Sequence, residues 1–188
     1  MKRIIALALM VILVISLVPS LIACKRVDKE QAKEIVKDLV EQSYELNVIY
    51  FGAGLKHDEK SEEGYIRVSD DALYTKKKPL VDKTKEIFSE SYAQGIISSA
   101  FVGNSGGIDS TAAYARYVED FDGVLTIRRD SAVIEEIAEY DFSTTKIIKN
   151  AKNSIIARIT TNNLESNTEV QIQFVYEEGA WKIDSATY

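Results

Sequence analysis

The sequence predicts an α+β fold in which N-terminal helices pack on one face of a curved, mostly antiparallel sheet. Apolar residues recur at helical spacing in the first half of the chain, and they alternate with polar residues at a period of two after Ala113. Helices followed by strands favour one domain in which the two kinds of element form separate layers. Residues 24–188 are long enough for a single core that needs no disulfide.

Three helices are predicted. Asp28 and Gln31 have the spacing of a capping box, so the first helix should begin there and continue to about Asn47. Pro79 suits the first turn of a second helix, and a third should begin at Ser89 or Glu90. The apolar stripe of the first helix contains Ala32, Ile35, Val36, Leu39, Val40 and Ser43.

Short strands are predicted around and after these helices. Gly64–Val68 is one, and Tyr114–Glu119 with Val124–Arg128 should form a hairpin that turns at Gly123. The longest alternating segments are Ser154–Thr161, Glu169–Glu177 and Trp181–Thr187.

Alternation also assigns a face to the one tryptophan. Trp181 should pack against the side of the neighbouring strand that carries Val170, Ile172 and Phe174.

The chain is acidic. Without Lys2 and Arg3 it has 21 basic residues against 29 acidic ones, a formal net charge of −8. This balance disfavours nucleic acid as a partner and is compatible with a basic protein. No cofactor or metal is expected.

The first residues have the layout of a secretory signal. Lys2 and Arg3 precede an uncharged apolar run, and Pro19 and Ser20 follow it. Leu21-Ile22-Ala23-Cys24 resembles the lipobox of bacterial lipoproteins, in which the cysteine is diacylated and becomes the first mature residue. The resemblance implies a signal peptide at 1–23, one extracytoplasmic domain at 24–188, and a membrane anchor through lipid on Cys24.

A transmembrane anchor is the alternative for this segment. Ile4 to Cys24 is uncharged, about 20 such residues span a bilayer, and Lys25 follows as it would after a stop-transfer helix. Both interpretations put the remaining chain outside the cytoplasm, because the N-terminal positive charges stay inside.

A glycine-rich motif points to a different class of function. Ser105-Gly106-Gly107-Ile108-Asp109-Ser110 resembles the loop of PP-loop ATP pyrophosphatases, which binds the pyrophosphate of ATP. That family places the loop after the first strand of a parallel sheet, whereas helices precede it here and antiparallel hairpins follow. A turn between the last helix and the sheet is the simpler interpretation.

No catalytic set is predicted from the remaining polar residues. His57 is the one histidine and lies in a charged loop, where it is expected to be solvated. Glu135, Glu136, Glu139 and Asp141 form a charge run that is typical of a solvent-exposed face.

The order of elements resembles the DL-endopeptidase-inhibitor family of Gram-positive bacteria, which are secreted or lipid-anchored proteins. The resemblance implies that the chain blocks a cell-wall hydrolase, and the acidic balance suits a basic one. Tyr50, Phe51, Gly52 and Gly54 are predicted to form the contact loop, because aromatic side chains supply contact area and glycines let the backbone approach a partner. Core capping by the two aromatic residues is the alternative. The similar segments are Tyr50–Leu55, Ile87–Ala93, Ala115–Glu119, Gly123–Leu125 and Gly179–Ser185.

The terminal strand pair with Gly179-Ala180-Trp181-Lys182-Ile183 also resembles NTF2-like domains. These hold a pocket between a helix and a curved sheet, so this resemblance implies a lipoprotein that binds a small ligand.

Lipidation is directly testable. Cys24→Ala should yield unprocessed precursor or released protein without an acyl label, because the acyl acceptor is lost. Intact-mass analysis of the membrane-bound wild type should find acyl chains on Cys24. A wild-type chain without that mass would refute the anchor.

Overall fold

The fold is α+β, as the sequence predicts, and it contains two antiparallel sheets instead of one. A computed structural model describes residues 26–57, 64–103, 114–128, 133–162 and 168–188. The signal segment, Cys24 and the Ser105–Ser110 motif lie outside these ranges. The elements are α1 (Lys29–Tyr50), β1 (Tyr65–Arg67), α2 (Lys77–Ile87), α3 (Glu90–Phe101), β2 (Tyr117–Glu119), β3 (Leu125–Arg128), β4 (Tyr140–Ala151), β5 (Ser154–Thr161), β6 (Glu169–Glu177) and β7 (Ala180–Ile183).

Helix α1 begins with the predicted capping box. The Asp28 carboxylate accepts from the Gln31 amide nitrogen at 2.9 Å, and the Gln31 side chain accepts from the Asp28 nitrogen at 3.3 Å. The helix continues past the expected end at Asn47 to Tyr50, since Ile49 and Tyr50 are buried in the core. Tertiary contacts therefore lengthen α1 beyond its own periodic pattern.

The smaller sheet has the strand order β1-β3-β2 and contains the predicted hairpin. Its inner face presents Ile66, Tyr117 and Ile127, which occupy paired positions and are buried. The Tyr117 ring lies 5.9 Å from that of Phe101 at the end of α3. This sheet thus covers the ends of α1 and α3.

The larger sheet has the order β4-β5-β6-β7, and its buried face packs under the helices. Phe174 lies between Ile155 on β5 and Ile183 on β7, and all three side chains are fully buried. Ser89, the N-cap of α3, donates its backbone N–H to the Ile183 carbonyl at 2.8 Å. This bond ties α3 to the edge of the sheet.

Strand β4 was not predicted from the sequence. Register shifts between Asp141 and Lys146, and between Ile147 and Lys149, interrupt its pairing with β5. Each such irregularity moves the following side chains to the opposite face, so the period of two disappears. Glu135 and Glu136 are exposed, as expected for the charge run before the strand.

Trp181 lies on the predicted face but at its edge. It pairs with Tyr176 across the two strands, with ring centroids 5.4 Å apart, and it is only partly buried. Strand β7 ends at Ile183 and not at Thr187. Asp184 still donates its N–H to the Gln173 carbonyl of β6 at 2.8 Å, and Thr187 packs on α1. Phe174 therefore occupies the centre of this face.

Candidate functional site

The predicted contact loop is turned inward at its first residue. Tyr50 is 5 % exposed, and its hydroxyl lies 2.7 Å from the Thr84 hydroxyl in α2. Burial raises the pKa of Tyr50 above its ordinary value. Phe51 is partly buried and stacks on Tyr188 with a centroid distance of 3.7 Å. The Tyr50 side chain thus belongs to the core.

Two residues of β2 and its approach hold the end of α1. The buried Arg116 guanidinium donates to the carbonyls of Ile49, at 3.2 Å from Nε, and of Gly52. The Tyr117 hydroxyl donates to the Ile49 carbonyl at 2.8 Å and accepts from the Leu55 nitrogen at 3.1 Å. Arg116 and the Tyr117 hydroxyl thus satisfy carbonyls at the C-terminal end of α1 that have no partner within the helix. The positive charge of Arg116 also interacts favourably with the negative end of the helix dipole.

The two glycines of this segment allow close packing within the chain. Gly54 has φ of +86°, and a Cβ there would lie 2.3 Å from Ile127 Cδ1. At Gly52 a Cβ would lie 3.1 Å from the Val48 carbonyl oxygen. At Gly54 the absence of a side chain lets the backbone pass close to β3.

The remaining polar candidates do not converge. His57 is half-buried, its Nδ1 lies 3.0 Å from the Leu55 carbonyl, and it forms a bridge with Val68. The Asp141 carboxylate caps the turn at Ser143. Within the described ranges no three acidic, histidine or cysteine residues could hold a metal ion. None of the described helices combines the length and hydrophobicity needed to cross a membrane.

A groove of about 300 Å³ lies between α1 and the start of β4. Its walls are mainly apolar and aromatic, and its polar groups lie at the rim and the floor. The helix contributes Val40, Glu41, Tyr44 and Asn47, the opposite wall consists of Ala138, Glu139, Tyr140 and Phe142, and Thr187 closes the inner end. The groove thus lies between a helix and the edge of the larger sheet.

The floor of the groove is a closed hydrogen-bond network. The Asn47 amide nitrogen donates to the Thr187 carbonyl at 2.7 Å and to the Thr187 hydroxyl at 2.9 Å. The Ser43 hydroxyl also donates to the Thr187 hydroxyl, at 3.0 Å. All three residues are at most 1 % exposed. Mutual satisfaction of buried polar groups makes such a floor rigid.

The rim of the groove is acidic. Glu41 projects from α1 and Glu139 from the opposite wall, and both residues are exposed. The Glu41 carboxylate lies 3.8 Å from Lys37 in an exposed pair, a contact typically worth about 0.3–0.5 kcal/mol. Of the described residues that line the groove, none is basic. Burial raises the pKa of Tyr140 to about 12, so its hydroxyl stays protonated at neutral pH.

The groove was not predicted from the sequence. Val40, Tyr44 and Asn47 follow each other at spacings of four and three, which places them in one row along α1. The aromatic residue and the amide in this row, beside the aliphatic core stripe, are the one sequence feature that could have indicated the helical wall of the groove. The opposite wall could not be inferred, because it depends on the unrecognised strand β4.

Comparison with models of known protein families gives no match, and comparison with curated proteins gives none either. The geometry of the chain must therefore carry any functional proposal.

The inward role of Gly54 can be measured against a second glycine. Gly54→Ala should destabilise the protein more than Gly123→Ala, because both have positive φ but only Gly54 meets neighbouring atoms. We expect about 1 kcal/mol for the backbone conformation at either site, and about 1–3 kcal/mol more for overpacking at Gly54. Denaturant unfolding of both variants measures the difference. Equal losses would place residue 54 in open space.

Proposed function

We propose that this chain is a lipid-anchored, non-catalytic binding protein outside the cytoplasm, with the groove between α1 and β4 as its ligand site. The groove itself is the observation that carries the proposal. Its volume is at the lower end of the range for ligand pockets, about 300–1,000 Å³, and its lining is apolar with a few polar groups. This combination suits non-covalent binding of a small molecule.

The location rests on the N-terminal segment. Lys2, Arg3, the apolar run and the Leu21–Cys24 lipobox support export and acylation. Two acyl chains give stable attachment to a membrane, so the binding site would stay close to the cell surface.

Filling the groove should abolish binding. Ala138 lines the groove and is 7 % exposed, so Ala138→Phe should place an aromatic ring in the groove space. We expect the full chain in a nonionic detergent to bind the neutral probe 4-phenylbutanol with a Kd on the order of 1 mM. Two-dimensional NMR should show saturable shifts at Ala138 and Thr187 in the wild type and none in the variant.

Ala180→Phe is the matched control, because Ala180 is exposed on β7 and does not line the groove. It should bind like the wild type. Equal binding by Ala138→Phe would show that the probe sits elsewhere or only in detergent, and the groove proposal would fail.

Inhibition of a cell-wall endopeptidase is the second candidate, and the β2–β3 hairpin favours it. Phe121 is 97 % exposed at the tip of this hairpin. The Asp120 carboxylate accepts from the nitrogens of Asp122 and Val124 at 2.9 Å each, so the turn is preorganised. These bonds, above all that from Val124, hold the pKa of Asp120 below its usual range. Arg67 forms ion pairs with Asp120 and Asp122, so the exposed aromatic ring on a rigid turn is the feature that suits contact with a protein surface.

A hydrolysis assay distinguishes this candidate from the first. The wild type should lower wall-peptide hydrolysis by the endopeptidases of its host, and more weakly at high salt. Phe121→Ser should relieve that inhibition, whereas Leu73→Ser, which removes an equally apolar and 61 % exposed side chain, should not. Unchanged hydrolysis at a large molar excess of wild type would exclude inhibition.

A further inference from the structure

The groove carries negative charge on both of its sides. Glu41 stands on the helical rim and Glu139 on the opposite rim, while none of the described lining residues is basic. Lys37 offsets Glu41 only through an exposed contact, which an entering cation can replace at little cost. An anionic ligand would meet two like charges here, and a cation would meet two opposite ones.

The hydrogen-bond donors of the groove floor are engaged within the floor itself. The Asn47 amide nitrogen donates to the carbonyl and to the hydroxyl of Thr187, and the Ser43 hydroxyl donates to the same residue. The Asn47 side-chain oxygen receives only a long contact, 3.4 Å from the Thr187 hydroxyl. Asn47 and Thr187 are each 1 % exposed, so the floor presents satisfied polar groups to a ligand. An anionic head group, which needs hydrogen-bond donors, is not favoured here.

Aromatic faces complete the pattern. Tyr44 is 45 % exposed on the helical wall, and Tyr140 and Phe142 form a tilted ring pair with centroids 6.3 Å apart on the other wall. Aromatic rings bind apolar groups and, through their negative faces, cations. From the rim charge, the engaged donors of the floor and the rings together we infer that the groove binds a small amphipathic amine, with its ammonium at the carboxylate rim and its apolar body between the rings.

This inference rests on the proposed ligand-binding function, and a matched series of probes tests the two separately. The series is 4-phenylbutylamine, 4-phenylbutanol and 4-phenylbutyrate, which share one apolar body and differ in charge. The full chain in nonionic detergent should bind the amine about five- to tenfold more tightly than the alcohol, and the carboxylate most weakly. Raised salt should reduce the preference for the amine.

Charge-neutralising variants locate the source of the preference. Glu41→Gln with Glu139→Gln should bring the affinity for the amine close to that for the alcohol and leave the alcohol unchanged. Glu34→Gln with Glu136→Gln is the control, because these exposed residues lie in the same two segments without lining the groove. This control should keep the wild-type preference.

The other possible results of the probe series separate the cation preference from the groove function. Equal affinities for amine and alcohol, unaffected by the Glu41 and Glu139 changes, would overturn the cation preference and leave the groove as a neutral ligand site. Failure of all three probes to shift Ala138 and Thr187 would overturn the groove function itself. Equal binding of Nα-acetyl-lysine amide would assign the groove to a basic side chain of a protein partner instead of a small amine.

Discussion

The hydrogen bonds between Asn47 and Thr187 hold the rest of the structure in place. They join residues 140 positions apart and are buried from solvent, so each polar group depends on the other for satisfaction. They fix the segment after β7 against α1, and this segment carries Tyr188 onto Phe51. The groove floor is the same pair of residues, so the element that closes the fold also shapes the candidate site.

A second constraint acts at the end of α1. Arg116 and Tyr117 engage the carbonyl of Ile49, and Gly54 lets the chain pass against β3. The smaller sheet thus sets where the helix stops, and the Asn47–Thr187 bonds set how it lies on the larger sheet. Together they position the groove wall formed by α1, and of these groups only Asn47 and Thr187 also line the groove.

The groove lies along the second half of α1, and the proposed anchor at Cys24 precedes the start of that helix in the sequence. Val40 to Asn47 occupy its second half, and at 1.5 Å per residue Val40 lies roughly 16 Å from Lys29. Few residues separate Lys29 from Cys24, so acylation would hold this end of α1 at the bilayer. A site half a helix length from the anchored end of α1 suits a ligand at the membrane surface.

The sequence by itself determined the elements whose signals are local. The capping box at Asp28, the hairpin turn at Gly123 and the alternating strands β5 and β6 follow from short-range periodicity and turn chemistry, and the structure confirms them. Only the tertiary structure decided the extension of α1 to Tyr50, the bulged strand β4 and the groove between them. The physical reason is that these features are set by contacts between residues distant in sequence. The Ile49 carbonyl is satisfied by Arg116, and Tyr140 forms a groove wall only because α1 lies opposite it. No local sequence pattern contains either contact.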